Sequence, residues 1–494
     1  MSASRERMNI LLIMTDQHRW DTLGCYGQTA CRTPHLDGLA ERGVRFDAAY
    51  TPTSPCSPAR AAIFTGLYPH QNGVLENDDP VNPAAPTMAS ELGRAGYNLG
   101  YAGKWHVDRD KLPSDYGFRG KDYPGYGYPP TDGLVEGLRF MSRLKPAPHY
   151  ADYLRERGLE PPKVLEAYYG ANPGQPGHEV HALQSGTIEQ SFEAMVSAQT
   201  IDLLREFAQE REQADKPFFL WANFWGPHTP ILIPEPYWSM YDPASIPEEP
   251  SFSETWEHKP RVQELFERFW GMRDWGWEGW REAIARYWGY VTMIDDLIGR
   301  ILAALRELGL EENTLVVFTT DHGDMIGAHR LIEKGPFTYE ESYRLPFIAA
   351  HPDCRTPGAA SDEFVYSFDL LPTFCEVAGL EPPESLAGSS ASILPTMLDA
   401  SAPTGRDSIY TSFESQVFHA PNRMVRTRRW KFVYNPSDIG ELYDLAQDPH
   451  ELRNLIDLPE TRQVQHELMA LMRQHMVRVG DPMLGRFDRI RHVY

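Results

Sequence analysis

Three short apolar runs that each break off into polar residues constrain the fold most. Residues 8–14 give way to Thr15-Asp16-Gln17-His18, residues 217–224 to Gly226-Pro227-His228, and residues 314–320 to Asp321-His322-Gly323. Runs this short do not make a helix. A near-continuous apolar strand is the signature of a parallel sheet covered on both faces. The polar residues then sit at the carboxyl ends of the strands, the edge where open α/β sheets bind ligands.

Helical spacing fills the gaps between these runs. Residues 192–209 and 287–308 place apolar side chains at helical intervals, the second through Tyr290, Ile294, Leu297, Ile298, Ile301 and Leu305. Strand–helix–strand repetition predicts an α/β fold: a large, doubly wound mixed sheet with helices on both faces. Residues 111–190, rich in Pro, Gly and Tyr, fit that frame poorly. So do residues 231–285, with Trp256, Trp270, Trp275, Trp277 and Trp280. Both read as insertions over the active-site edge, and the tryptophans as packing rather than a sugar platform. Beyond residue 385 the pattern changes to short strands at 409–413, 424–427 and 431–435 and a helix from about 460 to 477. This divides the chain into a catalytic domain, 1–385, and a smaller C-terminal α+β domain with an antiparallel sheet, 386–494. The terminal Leu484-Gly485-Arg486-Phe487-Asp488-Arg489 is aromatic and basic, and either frays or docks on a neighbouring subunit of a homo-oligomer.

Charge narrows the function. The 494-residue chain carries a formal charge of −22, which argues against nucleic acid or an anionic membrane as partner. An anionic substrate remains possible if cations are concentrated in the site. No segment reaches the roughly 18–20 apolar residues of a membrane span, and the N-terminus lacks a secretory apolar region. The five cysteines, at 25, 31, 56, 354 and 375, are sparse and odd in number, so no disulfide framework is expected. Together these features predict a cytoplasmic enzyme.

The most specific motif is Cys56-Ser57-Pro58-Ala59-Arg60, trailed by Thr65-Gly66. It resembles the signature of the formylglycine-dependent (type I) sulfatases of the alkaline phosphatase superfamily. The likeness extends over roughly residues 8–110, 215–230, 287–350 and 440–456. It implies a sulfuric ester hydrolase, arylsulfatase-like, in which a formylglycine-generating enzyme oxidises Cys56 to an aldehyde. Once hydrated, the aldehyde offers one hydroxyl to attack sulfur and another whose deprotonation releases sulfate, a covalent mechanism with a built-in exit. A buried, inert thiol is the alternative for Cys56.

The same resemblance implies one divalent cation held by Asp16, Gln17, Asp321, His322 and the oxygen at position 56. Oxygen ligands favour Ca2+ with Mg2+ possible, and the nitrogen of His322 brings in Mn2+. Many family members have Asp where this chain has Gln17 and Asn where it has His322. Lys104 and Lys334 correspond to residues that bind sulfate oxygens, His228 to the acid that protonates the leaving alcohol, His106 to the base, and Arg60 to a residue steadying the diol. Asn77 is a further candidate for touching substrate. Taken singly, Asp16 could be a helix cap and the lysines solvated charges. The segment from Glu441 to Asp444, with Asp448, Pro449 and Asn454, matches the family's C-terminal hairpin.

Two other functions compete. Formylglycine-dependent phosphonate monoester and phosphodiester hydrolases share the Asp-Gln and Asp-His pairs, but their pattern lacks the Lys-x-His of Lys104 and His106. A non-catalytic, sulfatase-like binding protein would be expected to have lost Cys56, Arg60, Asp321, His228 or Lys334, and all are present. The alcohol half of the substrate (aryl, choline or sugar) has no signature in the chain.

Overall fold

The computed structural model describes residues 7–28, 30–120, 122–123, 148–169, 179–214 and 216–490. Its centre is an eight-stranded sheet. In chain order the strands are β1 (Asn9–Asp16), β2 (Val44–Phe46), β3 (Asn98–Lys104), β4 (Asp122–Tyr123), β5 (Phe218–Pro227), β6 (Thr314–Thr320), β7 (Ile348–Ala350) and β8 (Ala360–Ser361). In space they run β8-β2-β7-β6-β1-β5-β3-β4. β6, β1, β5, β3 and β4 are mutually parallel, whereas β7 is antiparallel to both β6 and β2. The sheet is therefore mixed, as expected.

The three apolar runs become β1, β5 and β6, and all their residues are buried. Alternation along them feeds two cores, because successive side chains leave a strand on opposite faces. Leu11, Ile13, Val316 and Phe318 join one cluster, with the helices α2 (Phe192–Ala214) and α3 (Trp277–Glu307). Ile10, Leu12, Met14, Leu315 and Val317 join the other, with Ala61, Ile63 and Phe64 of the helix α1 (Cys56–Thr65). Each such buried aliphatic contributes about 1.5–3 kcal/mol. A one-residue slip in register would exchange the two cores.

α3 begins ten positions earlier than the sequence pattern indicates, at Trp277. Trp280, Ala283, Ile284 and Tyr287 are buried, so the apolar stripe at i, i+3 and i+4 simply continues back into the segment expected to be an insertion. Trp270, Trp275 and Trp277 pack around Trp280 and Met272, which is core packing. Of the insertion at 111–190, residues 124–147 and 170–178 lie outside the described residues. The described part holds a hairpin of Val164–Tyr169 and Glu179–Gln184, which takes Ile231–Ile233 as a third strand.

The C-terminal unit is a four-stranded antiparallel sheet, Ser408–Phe413, Asn422–Thr427, Trp430–Tyr434 and Glu441–Asp444. The helix Arg462–Val479 covers it. Residues preceding it, Leu386, Ile393 and Met397, pack in the core of the large sheet, and the C-terminal core includes Tyr50, Ala62 and Tyr68 from the N-terminal part. The tail corrects one expectation. Leu484–Ile490 is a helix on its own chain: Phe487 is fully buried, edge-on to Tyr434 at 5.0 Å, and Asp488 pairs with Arg473 at 2.7 Å. Its aromatic anchor is thus seated on its own chain, and the tail does not fray. No described helix is long and apolar enough to cross a membrane.

Candidate active site

The register brings four polar strand ends to one place. Asp16 closes β1 opposite Pro227 of β5, Thr15 pairs with Thr320 just before Asp321, and Gly103 pairs with Asn223 just before Lys104. Gly103 is required there: its φ is +98°, and a Cβ would lie 1.8 Å from Asn223 O. That close approach sets the direction in which Lys104 leaves the strand. Cys56 opens α1, a helix buried along its whole length and closed by Gly66 in the left-handed region.

Position 56 carries the encoded thiol, whose Sγ stands in for the oxygen of an oxidised side chain. It lies 3.1 Å from His322 Nε2 and 3.9 Å from Asp16 Oδ1. Asp16, Cys56, Asp321 and His322 each present a ligand atom within 4.8 Å of the others, and all four are buried. His322 Nδ1 lies 2.9 Å from Gly323 O. A carbonyl can only accept, so Nδ1 carries the hydrogen and Nε2 turns toward the cluster, the usual arrangement of a metal-binding histidine. Two carboxylates and one imidazole around a shared centre fit a divalent cation.

Arg60 knits the carboxylates together. Its fully buried guanidinium donates to Asp321 Oδ2 at 2.8 Å, Asp16 Oδ2 at 2.9 Å and Asn223 Oδ1 at 3.1 Å. Lys104 Nζ donates to Asp16 Oδ2 at 2.6 Å and sits 4.2 Å over the Trp225 ring. Burial by itself would raise the Asp16 pKa, but Lys104 and Arg60 hold it well below the carboxylate range. For Asp321, burial and the Asp16 charge prevail and the pKa is raised. His322 is raised to about 9: burial works against the charged form, but Asp321 and Cys56 outweigh it. The Cys56 thiol is lowered although burial and Asp16 oppose this, because Lys334, Lys104 and His322 surround it.

The opposite wall is formed by Gln17, His228 and Lys334. Lys334 Nζ donates to Gln17 Oε1 at 2.8 Å, approaches His228 Nε2 at 3.0 Å and donates to Glu333 Oε2 at 2.8 Å. The amide oxygen that Gln17 would offer a cation is thus bonded to Lys334, while its Nε2 donates to Asp324 Oδ2 at 2.5 Å. Asn77 and His106 lie on two separate loops, the second directly after β3. Asn77 Oδ1 accepts the backbone N–H of Ser57 at 3.0 Å, and His106 Nε2 lies 3.5 Å from Asp78 Oδ1. The sequence reading had not singled out Glu333, Asp324, Asn223 or Trp225. Asn223 and Trp225 were readable, since they end an apolar run. Asp324 and Glu333 flank known landmarks but belong to no run or motif.

A description of the sulfatase family matches residues 8–380, and one for the C-terminal part of N-sulphoglucosamine sulphohydrolase matches 327–478. The chain belongs to the sulfatase family. It is 30% identical to the uncharacterized sulfatase YidJ of Escherichia coli, over 97% of this chain and 88% of that protein. With an arylsulfatase of Clostridium perfringens it shares 31% identity over 92% of this chain and 91% of that one. Among solved structures, a phosphonate monoester hydrolase from Silicibacter pomeroyi aligns at a TM-score of 0.76 and 25% identity, covering 97% and 96% of the two chains. Membership in the sulfatase family, the mixed α/β fold and the C-terminal antiparallel sheet thus agree with the sequence reading.

Proposed function

We propose that this sulfatase hydrolyses a sulfate monoester of a small alcohol or phenol, with formylglycine derived from Cys56 as nucleophile. The observation that carries the reading is the convergence of Asp16, Asp321, His322 and Cys56 within 4.8 Å, flanked by the buried ammonium groups of Lys104 and Lys334. In an acidic chain these are the local cations that a sulfate group requires.

Asp16, Asp321 and His322, with Gln17 beside them, would hold one divalent cation, Ca2+ first and Mg2+ or Mn2+ next. The cation would polarise a sulfate oxygen and lower the pKa of the attacking hydroxyl. The formylglycine, made by a separate maturing enzyme, supplies that hydroxyl as a hydrated aldehyde. The chain's own residues do the rest. Arg60 fixes both carboxylates through hydrogen bonds to Asp16 and Asp321. Lys104 and Lys334 neutralise sulfate oxygens. His228 holds its Nδ1–H on Thr229 O at 2.5 Å, so Nε2 faces the site and can deliver a proton to the departing oxygen. His106, with Asp78 Oδ1 3.5 Å from its Nε2, would take a proton from the nucleophile's second hydroxyl. Asn77 holds the first turn of α1 and would face substrate beside it.

Turnover of nitrophenyl sulfate and of bis-nitrophenyl phosphate by the purified wild type tests the reading, with peptide mass spectrometry of residue 56. Preference for the sulfate ester and an aldehyde mass at Cys56 are expected. A preference for the phosphorus ester by about 100-fold or more would establish the phosphonate monoester or phosphodiester reading instead. Active protein bearing only the thiol would overturn the nucleophile.

A further inference from the structure

Resting on that reading, we propose that Glu333 is a positioning residue that lets Lys334 and His228 work side by side, and so governs the enzyme's reach toward poor leaving groups. Its carboxylate is almost wholly buried, with 4% of the residue exposed. One oxygen accepts from Lys334 Nζ at 2.8 Å, and the other accepts from the Thr229 hydroxyl. Thr229 is in turn the residue whose carbonyl anchors His228 Nδ1. A single side chain therefore ties the sulfate-facing lysine to the strand end that carries the acid.

Charge makes the link matter to chemistry. His228 Nε2 and Lys334 Nζ are 3.0 Å apart. Once His228 carries the proton it must deliver, two cations face each other at that distance, a repulsion that grows as the site loses water. Glu333 Oε2 lies 2.8 Å from one and 3.9 Å from the other, so its fixed negative charge offsets both. Burial disfavours that charge, but Lys334 and His228 outweigh it and lower the Glu333 pKa to about 2. When the S–O bond breaks, the alcohol oxygen takes the electron pair and the Nε2 proton together. An alkoxide depends on that proton; a nitrophenolate leaves without it.

The test is kcat and KM of Glu333→Gln on an alkyl sulfate and on nitrophenyl sulfate, with thermal unfolding as control. General acids contribute about 100-fold or more to such steps. The expected result is a loss of about 30-fold in kcat on the alkyl ester against under about 3-fold on the aryl ester, with KM for either unchanged or lower. Glu333→Asp, which keeps the charge, should recover most of the alkyl-to-aryl ratio. Equal losses on both esters, or no loss on either, overturn the proposal. If Glu333→Gln fails to fold, Thr229→Val frees the second oxygen while keeping the charge. It should show the same bias at about 3-fold, and equal losses would again overturn the idea. A wild type that prefers phosphodiesters would defeat the sulfatase reading separately. The ratio of alkyl to aryl esters would remain measurable on that substrate class.

Discussion

Two regions of buried charge in this molecule are built on opposite rules. In one, between the 231–285 segment and the C-terminal sheet, cations meet acceptors and carboxylates. Lys259 Nζ donates to Tyr443 OH at 2.8 Å, Tyr339 OH at 3.2 Å and Glu451 O, using all three of its hydrogens. His329 stacks on Tyr339 at 3.7 Å and meets Glu254 Oε2 at 2.8 Å. Lys431 binds Glu340 at 2.8 Å and Glu451 at 2.7 Å. At the strand ends, by contrast, four side chains of metal-ligand type are drawn to one point: Asp16 Oδ1 lies 3.9 Å and His322 Nε2 3.1 Å from Cys56 Sγ, in a cluster with Asp321 whose ligand atoms all fall within 4.8 Å. Complementary networks rigidify a fold. A buried cluster of ligand-type side chains is costly by itself and is of the kind that could hold a divalent cation.

The sharpest way to break the comparison is to damage each region and ask what is lost. Asp321 accepts from Arg60 Nε on one oxygen and from Gln17 N and His322 N on the other; Asp321→Asn keeps only one of these acceptors and removes the carboxylate charge that a cation would need. Losing several kcal/mol of charge stabilisation corresponds to a fall in kcat of about 1,000-fold or more. Elemental analysis should show bound metal falling with it, while the melting temperature moves little. Full activity in the variant, or in metal-free protein, would show that this cluster is another structural network.

Lys259→Met should do the reverse. It takes the ammonium 3.5 Å from Glu254 Oε2 and the donor from two tyrosines. Breaking one side of a buried pair costs about 3–5 kcal/mol. Chemical denaturation should register that loss, whereas kcat on nitrophenyl sulfate should stay within about 3-fold of wild type. A collapse of kcat in folded protein would mean that the network is part of the site, reaching it through Tyr339 and the Lys334 segment.

The two regions were also unequally legible. Asp16, Asp321 and His228 could be read because each ends a run whose apolar alternation forces a strand, and the fold then delivers strand ends to one edge. Cys56 and Arg60 are four apart on one helix, so a local motif holds them. The complementary network has no such shortcut: Lys259 and Tyr443 are 184 positions apart and share no motif. Glu333 was missed for a related reason. It sits next to Lys334 but acts on Thr229, 104 positions away, and only tertiary structure shows that. The early start of α3 was hidden because tryptophans in a Gly-rich stretch read as loop until their burial is known. The C-terminal helix misled in the other direction, since an aromatic, basic end does not reveal which surface of its own chain it covers.

The smallest effect sharpens the comparison through pH. His329 is fully buried, and desolvation lowers its pKa from the ordinary 6.5 to about 4, against the pull of Glu254. Between those values the unfolded chain binds a proton that the native one does not. Stability therefore rises with pH across that window and is lost as pH falls from 6.5 toward 4. The linked free energy is about 3 kcal/mol, from roughly 1.4 kcal/mol for each unit of pKa difference. Other buried histidines contribute to the same slope, so the wild-type curve alone does not isolate this one. His329→Asn does: residue 329 has φ +50°, a left-handed conformation that asparagine tolerates, and the variant does not titrate there. It should be less stable than wild type at pH 7, having lost the stack on Tyr339. The gap should then narrow by about 3 kcal/mol as the pH is lowered to 4, measured by urea unfolding at each pH. Two curves that stay parallel would mean His329 is protonated with Glu254 in the native state. The second network would then store an ion pair where a neutral ring is expected.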